Sequence, residues 1–398
     1  MDLNDTENLS NVSLNVPRSQ CDNSRESLII KSTALGLILV IALLGNSLVL
    51  ALVRKSSQMN GAINLFVANM AISDLFVPLF VLPREMYQLT SGTISWQVRG
   101  TGGAILCKLV FFASDISPIV SVLMLCLIAI ERFTAVVFPC AAALQNRRLH
   151  YVLITISWFI AVCFCAPYFY LFKLTRVGDD FYCFPDWGPA FDHVKTHQGY
   201  TTTACALFIV VPFFLLTTLY SLIVYKLKRP KVLKFLRGTS RQRRNMRTLK
   251  VIKMTMTVVI VFGICWGPFN IALLIVTFIW KWHLPTTCSF RRFWFTALFM
   301  AYSNAAINPW IYFAFIDSYR RALRETCKRL TAIATNSYST SHSVRRNQRR
   351  VSPVACLCQN SSSADMRSTT VALITLKRMS PIHLDITDEN VLESEAAT

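Results

Sequence analysis

Residues 34–53 contain no charged side chain, and their length decides what they can become. Roughly 20 apolar residues wound as helix cover the ~30 Å of hydrocarbon in a bilayer, where a backbone must satisfy its polar groups within its own segment. Residues 152–172, 204–224 and 258–280 read the same way, and a window of that length finds spans near 29–53, 62–88, 104–137, 148–172, 198–226, 249–280 and 292–315. With 53% hydrophobic and 16% charged residues, the chain is too apolar for an ordinary soluble domain. The sequence predicts an all-α membrane protein, a seven-transmembrane helix bundle with a short amphipathic helix after the seventh span.

The formal net charge of +20 would suit nucleic acid, but its placement argues against that partner. Arg54, Lys55, Arg147, Arg148, the basic run over 226–253, and the residues from Arg320 to Arg329 all fall on one side of a seven-span arrangement. That side is the cytoplasm by the positive-inside rule, although Lys173, Arg176, Arg291 and Arg292 lie opposite. The N-terminus is then extracellular, in agreement with glycosylation sequons at Asn4, Asn8 and Asn11. The first span lacks the small-residue cleavage site of a signal peptide and is expected to act as an uncleaved anchor in a multi-pass plasma-membrane protein.

The chain divides into an outer tail (1–28), a bundle (29–315), an amphipathic helix (316–330) and a polar, disorder-prone cytoplasmic tail (331–398), without internal repeats. Cys107 and Cys183 both fall outside, in an oxidising compartment, where a bridge would pin the long outer loop over the bundle mouth. Cys21 and Cys288 are candidates for a second bridge. Cys126, Cys163, Cys165, Cys205 and Cys265 lie within spans and are expected to pack as small hydrophobes. Ile316, Tyr319, Leu323 and Cys327 recur at helical spacing among basic residues, which suits a helix lying on anionic lipid. Cys327, Cys356 and Cys358 are palmitoylation candidates.

Ionisable side chains inside a span are costly and mark function. Here they are Asp74, Asp115 and the adjacent Glu131 and Arg132, accompanied by Asn46, Asn69, Ser121, Asn304 and Asn308. Prolines 78, 118, 167, 212, 268 and 309 each remove a helix hydrogen bond and permit a kink. Pro268, next to Trp266 and Phe262, makes the sixth span a candidate hinge.

Several motifs carry a family resemblance. They are Gly45-Asn46, "NMAISDL" around Asp74, Cys107 with Glu131-Arg132-Phe133, Trp158, Pro212 with Tyr220, Cys265-Trp266-Gly267-Pro268, and Asn308-Pro309-Trp310-Ile311-Tyr312. In this order on seven spans, they resemble the rhodopsin-like (class A) G-protein-coupled receptors over about residues 29–330, and within these most closely the neuropeptide receptors. The resemblance implies that Glu131 restrains Arg132 at rest and that Arg132 meets a heterotrimeric G protein on activation. Tyr220, Trp266, Pro268, Asn308, Pro309 and Tyr312 would serve the same switch. It also implies a sodium site at Asn46, Asp74, Ser121, Asn304 and Asn308, whose oxygens suit a hard cation; no other metal or cofactor is expected. The inner end of span six, "RNMRTLKVIKM", contains no acid, so an ionic lock from Arg132 to that span is expected to be absent and basal activity raised.

The ligand class is less constrained. Where opsins carry a retinal lysine this chain has Tyr302, and where amine receptors carry an aspartate it has Ser114, with Asp115 one position later. Asp115 as an amine counter-ion remains the alternative reading, and Tyr302 suits it. The outer loop with Asp179, Asp180, Asp186 and Asp192 among its aromatics, flanking Cys183, reads as a bridged hairpin offering acids to a basic peptide. The expected ligand contacts are Ser114, Asp115, Asp180, Trp266, Phe269, Asn270 and Tyr302. A transporter or channel would need a polar path that these carboxylates do not trace. Ser352, following Arg349 and Arg350, is a candidate receptor-kinase site for arrestin recruitment. The chain has no catalytic triad, metal cluster or nucleotide loop, and no enzyme is expected.

Overall fold

The computed structural model describes residues 25–55, 59, 61–138, 146–228, 239–282 and 287–342. All of these residues fall in one compact unit, and residues 343–398 lie outside the described ones. The sequons at Asn4, Asn8 and Asn11, together with Cys21, Ser352, Cys356 and Cys358, also lie outside the described residues.

Seven long helical runs follow one another. Helix α1 is Arg25–Lys55. Helix α2 starts as Ala62–Asp74, passes through a π-helical turn at Val77–Val81 and ends as Leu82–Ser91. Pro78 lies in that turn, so the backbone bond it cannot donate falls where the ladder already changes. Helix α3 is Gly100–Val137, and α4 is Arg147–Cys165 with a further turn, Tyr168–Leu171, beyond Pro167. Helix α5 runs through His193–Cys205, a π-helical turn Ala206–Val210 and Val211–Lys228. Helix α6 is Thr239–Leu274, extended by a π-helical turn Ile275–Ile279, and α7 is Cys288–Phe315.

Six of these runs are long and apolar enough to cross a membrane; α7 is long enough but less apolar. Its deficit comes from Ser303, Asn304, Asn308 and Pro309, and Asn304, Asn308 and Pro309 are buried in the bundle. Lipid-facing surface is apolar instead, with Leu44, Phe159, Phe213, Phe214, Ile260 and Ile264 all exposed.

Helix α3 runs through the middle, packing on α2, α4 and α5, while α6 packs chiefly on α7 and α7 on α1. Gly45 permits the last of these approaches: a Cβ there would lie 3.0 Å from Pro309 Cγ. The largest buried cluster joins Met70, Ile116, Met124, Leu125, Val258 and Tyr312 across four helices.

Between α4 and α5, strands β1 (Phe172–Val177) and β2 (Asp180–Pro185) form an antiparallel hairpin. Cys183 on β2 is disulfide-bonded to Cys107 on α3, and the Trp96 amide donates to Phe181 O at 2.6 Å. Cys288 is also disulfide-bonded. The final helix, α8, spans Asp317–His342. It starts where the amphipathic reading puts it but runs past residue 330, so the polar tail begins with helix. Tyr319 and Ala322 bury its apolar face.

Candidate functional site

At the inner end of α3, Arg132 donates through Nε and Nη2 to both carboxylate oxygens of Glu131. The side chains are 17% and 13% exposed, so the guanidinium is held in a bidentate pair in a poorly hydrated setting. Two tyrosines of the switch motifs, on other helices, are buried. Tyr220 is buried with Thr255 and Arg132 beside its hydroxyl, and Tyr312, fully buried, points its hydroxyl at Met70 Sδ, 3.7 Å away. The Tyr312 and Tyr319 rings lie 6.4 Å apart, coupling the end of α7 to α8.

The missing acid on α6 is replaced from a different direction. Lys250 Nζ on α6 donates to Asp317 Oδ2 on α8 at 2.6 Å, and Arg320 also bonds Asp317. The hydrogen bond from Lys250, opposed by slight burial and aided by Arg320, holds the Asp317 carboxyl below its ordinary value. Sequence reading expected restraint from Glu131 and packing alone; the inner end of α6 is in addition tied to α8.

In the middle of the bundle, Asp74 is fully buried. Asn308 Nδ2 donates to it at 2.9 Å, Ser117 Oγ at 3.3 Å and Ser121 Oγ at 3.4 Å. Asn46 turns its Nδ2 to the carbonyls of Ala42 and Ala305, each at 2.9 Å. The Oδ1 atoms of Asn46, Asn304 and Asn308 are buried without a partner. A carboxylate, serine hydroxyls and orphan amide oxygens are the donor set a hard monovalent cation takes; the residues fit sodium. Above this layer, Trp266 packs between Phe262 and Phe269 with ring centroids 6.1 and 6.0 Å away, its indole N–H unpartnered. Asn270 Nδ2 bonds Trp266 O at 2.8 Å, so this amide turns back on α6 beside Pro268 and away from the mouth.

At the outer mouth, Asp115 accepts a hydrogen bond from Tyr168 Oη at the end of α4. Tyr302 on α7 is buried, meets Ser114, and has Glu85, Arg84 and Asp115 as electrostatic neighbours. The hairpin's acids divide. Asp186 bonds Lys173 Nζ at 2.8 Å and the Gly188 amide at 2.8 Å, and Asp192 caps α5 through the Lys195 amide at 2.7 Å. Burial alone would raise the Asp186 carboxyl, but the Lys173 and Gly188 bonds overcome it and leave the group below its ordinary value. Asp179 faces Arg176 at 3.5 Å. These three acids are used internally; Asp180, exposed at the hairpin tip, has no such bond among the described residues. The aromatics divide likewise. Trp187 is buried, donating from Nε1 to His197 Nδ1 at 2.7 Å, and so anchors the lid.

A family model of the "7 transmembrane receptor (rhodopsin family)" matches residues 45–312. The chain belongs to this family. It is therefore a multi-pass membrane receptor, and its family is not one of enzymes. It is 26% identical over 299 residues to a pyroglutamylated RF-amide peptide receptor of Mus musculus, and 25% over 299 residues to that of Rattus norvegicus. Each alignment covers 72% of this chain, which spans 66% of the length of each rodent receptor. It is also 26% identical over 305 residues to galanin receptor 2b of Danio rerio, covering 75% of this chain and 74% of that one.

In this receptor, three features escaped sequence reading. Ser117 joins the Asp74 cluster from one turn before Ser121 and could have been found by helical spacing. Asp317, in the sequence one polar residue among the basic ones of the last helix, carries no local signal of its contact with Lys250. Arg84 and Glu85, in "LPREMY", belong with the ionisable residues of the spans, and they pair at 2.8 Å beside Phe111 and Trp96. Helix α8 also carries Cys327, the expected lipidation residue, which is half-buried.

The tie from α6 to α8 yields a prediction. Asp317→Asn is expected to raise ligand-free signalling about two- to fivefold, the scale an exposed ion pair supports. The exchange Lys250→Asp with Asp317→Lys is expected to restore the wild-type level, read as basal nucleotide exchange at matched surface expression. Basal exchange unchanged in Asp317→Asn would rule out the tie as a restraint. The Lys250 bond holds the Asp317 carboxyl below its ordinary value, so the tie is present at neutral pH and lost only as pH falls through that lowered value.

Proposed function

We propose that this receptor sits in the plasma membrane with its N-terminus outside, binds an extracellular peptide and activates a heterotrimeric G protein by outward movement of the inner end of α6. The observation that carries the peptide reading is the outer hairpin. It is clamped by Cys107–Cys183 and the Trp187 plug, and leaves Asp180 at its tip over a mouth that contains Asp115. A rigid hairpin with an unpaired acid suits a long basic ligand that touches both rim and floor, and the relatives named above are peptide receptors. The amine reading is less well supported, because none of the relatives named above is described as an amine receptor.

The transducer half rests on Arg132. Separation from Glu131 and withdrawal of α6 would present its guanidinium to the G protein, along with the basic inner ends of α5 and α6. Sodium, when bound by Asp74 with Ser117, Ser121, Asn46, Asn304 and Asn308, supplies a positive charge that holds these helices together and favours the resting packing. Glycans at Asn4, Asn8 and Asn11, a lipid on Cys327, and arrestin recruitment by a kinase-modified tail complete the reading.

Calcium and cAMP responses to a panel of short amidated and unamidated peptides test the proposal; nanomolar to micromolar activation by a basic peptide is expected, and activation by amines alone would overturn it. For the cation site, agonist affinity is expected to fall about tenfold as sodium rises to ~100 mM, through preferential binding to the resting state. Asp74→Asn is expected to erase that dependence, as radioligand competition in sodium against N-methylglucamine would measure. A dependence intact in Asp74→Asn places sodium elsewhere.

A further inference from the structure

We propose that His193 and His197, at the outer end of α5, form a proton-binding site that latches the outer hairpin to the α6–α7 connection and releases it as the medium outside is acidified. The ligand of this site is the proton itself, so the inference goes beyond the peptide reading and does not depend on which peptide binds.

Trp187, just past β2, meets both histidines through both of its N–H groups. Its indole Nε1 donates to His197 Nδ1 at 2.7 Å and its backbone amide to His193 Nδ1 at 3.4 Å. The two imidazoles lie one turn apart on α5 and stack with centroids 5.4 Å apart. A ring nitrogen that accepts carries no proton, so each ring in the latch is neutral with its hydrogen on Nε2. Trp282 packs edge-on against the pair, its ring 4.1 Å from that of His197 and 5.8 Å from that of His193. Its backbone φ is +67°, a region costly for so large a side chain, and its amide donates to Val276 O at the end of α6 at 3.0 Å. Gln198, next on α5, donates to Thr277 O at 3.3 Å. Hairpin, α5 and α6 converge on the two imidazoles, where Trp187 is 6% and His197 7% exposed.

Protonation is incompatible with this arrangement. A proton taken from water at Nδ1 turns the acceptor into a donor, sets two N–H groups against each other and breaks the bond to Trp187. The charged neighbours of the two rings differ. Asp186 Oδ1 lies 3.9 Å from His193 Nδ1, and Asp192 and Lys173 also face that ring. A protonated His193 would turn from Trp187 to Asp186, a gain limited by Lys173, which already bonds the other Asp186 oxygen at 2.8 Å. His197 has His193 as its titratable neighbour, and the α6–α7 connection brings Lys281, exposed, beside Trp282. Two imidazoliums 5.4 Å apart repel, so the second proton is taken only when the rings separate and water reaches them. An imidazole in water takes its proton near pH ~6.5. The latch is therefore closed above that value and loses stability as pH falls through it, because the open form binds more protons.

The test is hydrogen–deuterium exchange on full-length receptor in lipid nanodiscs at about pH 7.5 and about pH 5.5, each rate divided by the intrinsic rate at that pH; amides of residues 186–191 and 276–282 report opening. When only the open form takes protons, one histidine raises the open fraction about tenfold over this interval and two raise it about a hundredfold. Exchange in both segments is expected to quicken by about ten- to a hundredfold on acidification. Asparagine places an oxygen where Nδ1 lies and takes no proton. His197→Asn is therefore expected to leave at most about a tenfold response, and His193→Asn combined with His197→Asn none. Trp187→Phe is expected to exchange about three- to tenfold faster before any acid is added, from the loss of one hydrogen bond. An intact Cys107–Cys183 bridge, read by mass spectrometry, confirms that each variant has folded. No acceleration in the wild type, or an equal one in the double variant, overturns the site. Should the double variant not fold, Trp187→Phe decides: a rate equal to wild type before acid and an equal response to acid overturn the site as well.

Discussion

Arg132→Ala is expected to reach the cell surface and bind ligand normally, yet to support nucleotide exchange at about a hundredth of the wild-type rate or less. The side chain is poorly exposed and makes its bonds to the adjacent Glu131, so its loss removes no long-range strut of the fold. What it removes is the charged donor that the G protein would meet, and truncating one member of a desolvated charged contact costs about 2–5 kcal/mol. Glu131 is left behind as a poorly hydrated carboxylate without its cation, which stays tolerable because the position is at the membrane boundary. Glu131→Gln acts in the opposite sense, freeing the guanidinium and raising basal exchange. GTPγS incorporation at matched surface density measures both. Full-strength exchange from Arg132→Ala would end the transducer assignment.

Asp115→Ala is expected to lower the potency of a basic peptide agonist by about thirty- to several-thousandfold, from the same 2–5 kcal/mol for a buried ion pair that loses one partner. Tyr168 keeps the carboxylate oriented, so Tyr168→Phe is expected to give a smaller loss, about three- to tenfold, the size of one hydrogen bond to a charged group. Asp180→Ala tests the rim. Its carboxylate is exposed, and an exposed pair contributes at most about 1 kcal/mol, so the loss there stays below about fivefold. Concentration–response curves in one assay separate the three, and equal losses at Asp115 and Asp180 would place the ligand's cation at the rim and leave the floor to other contacts.

The two sets of residues differ in how legible they were in the sequence, for physical reasons. Spans are visible because hydrocarbon imposes length and composition on every helix that meets it. The span that came closest to escaping, α7, is the one whose polar residues face other helices and not lipid. Asp74, Asn308 and Arg132 stood out because charge and amides are rare at such depth. The hairpin's acids were visible too, but their roles were not: Asp186 and Asp192 look like Asp180 in the sequence, and only the placement of Lys173 and the start of α5 shows that they are taken. Lys250 and Asp317 lie 67 residues apart, each ordinary among its neighbours, and no local pattern announces their contact. Arg84 and Glu85 sit 10 and 11 positions after Asp74, far enough along α2 to be taken for a wetted helix end.

The polarity of α7 also orders the receptor's biogenesis. A segment carrying Asn304 and Asn308 partitions poorly into bare lipid from the translocon, and Asn308 finds its acceptor only on Asp74 of α2. Insertion of the last helix is therefore expected to depend on helices already in place, α2 with Asp74 among them. Substitutions that spoil this support are expected to surface first as failed membrane integration and degradation in the endoplasmic reticulum, ahead of any defect in signalling.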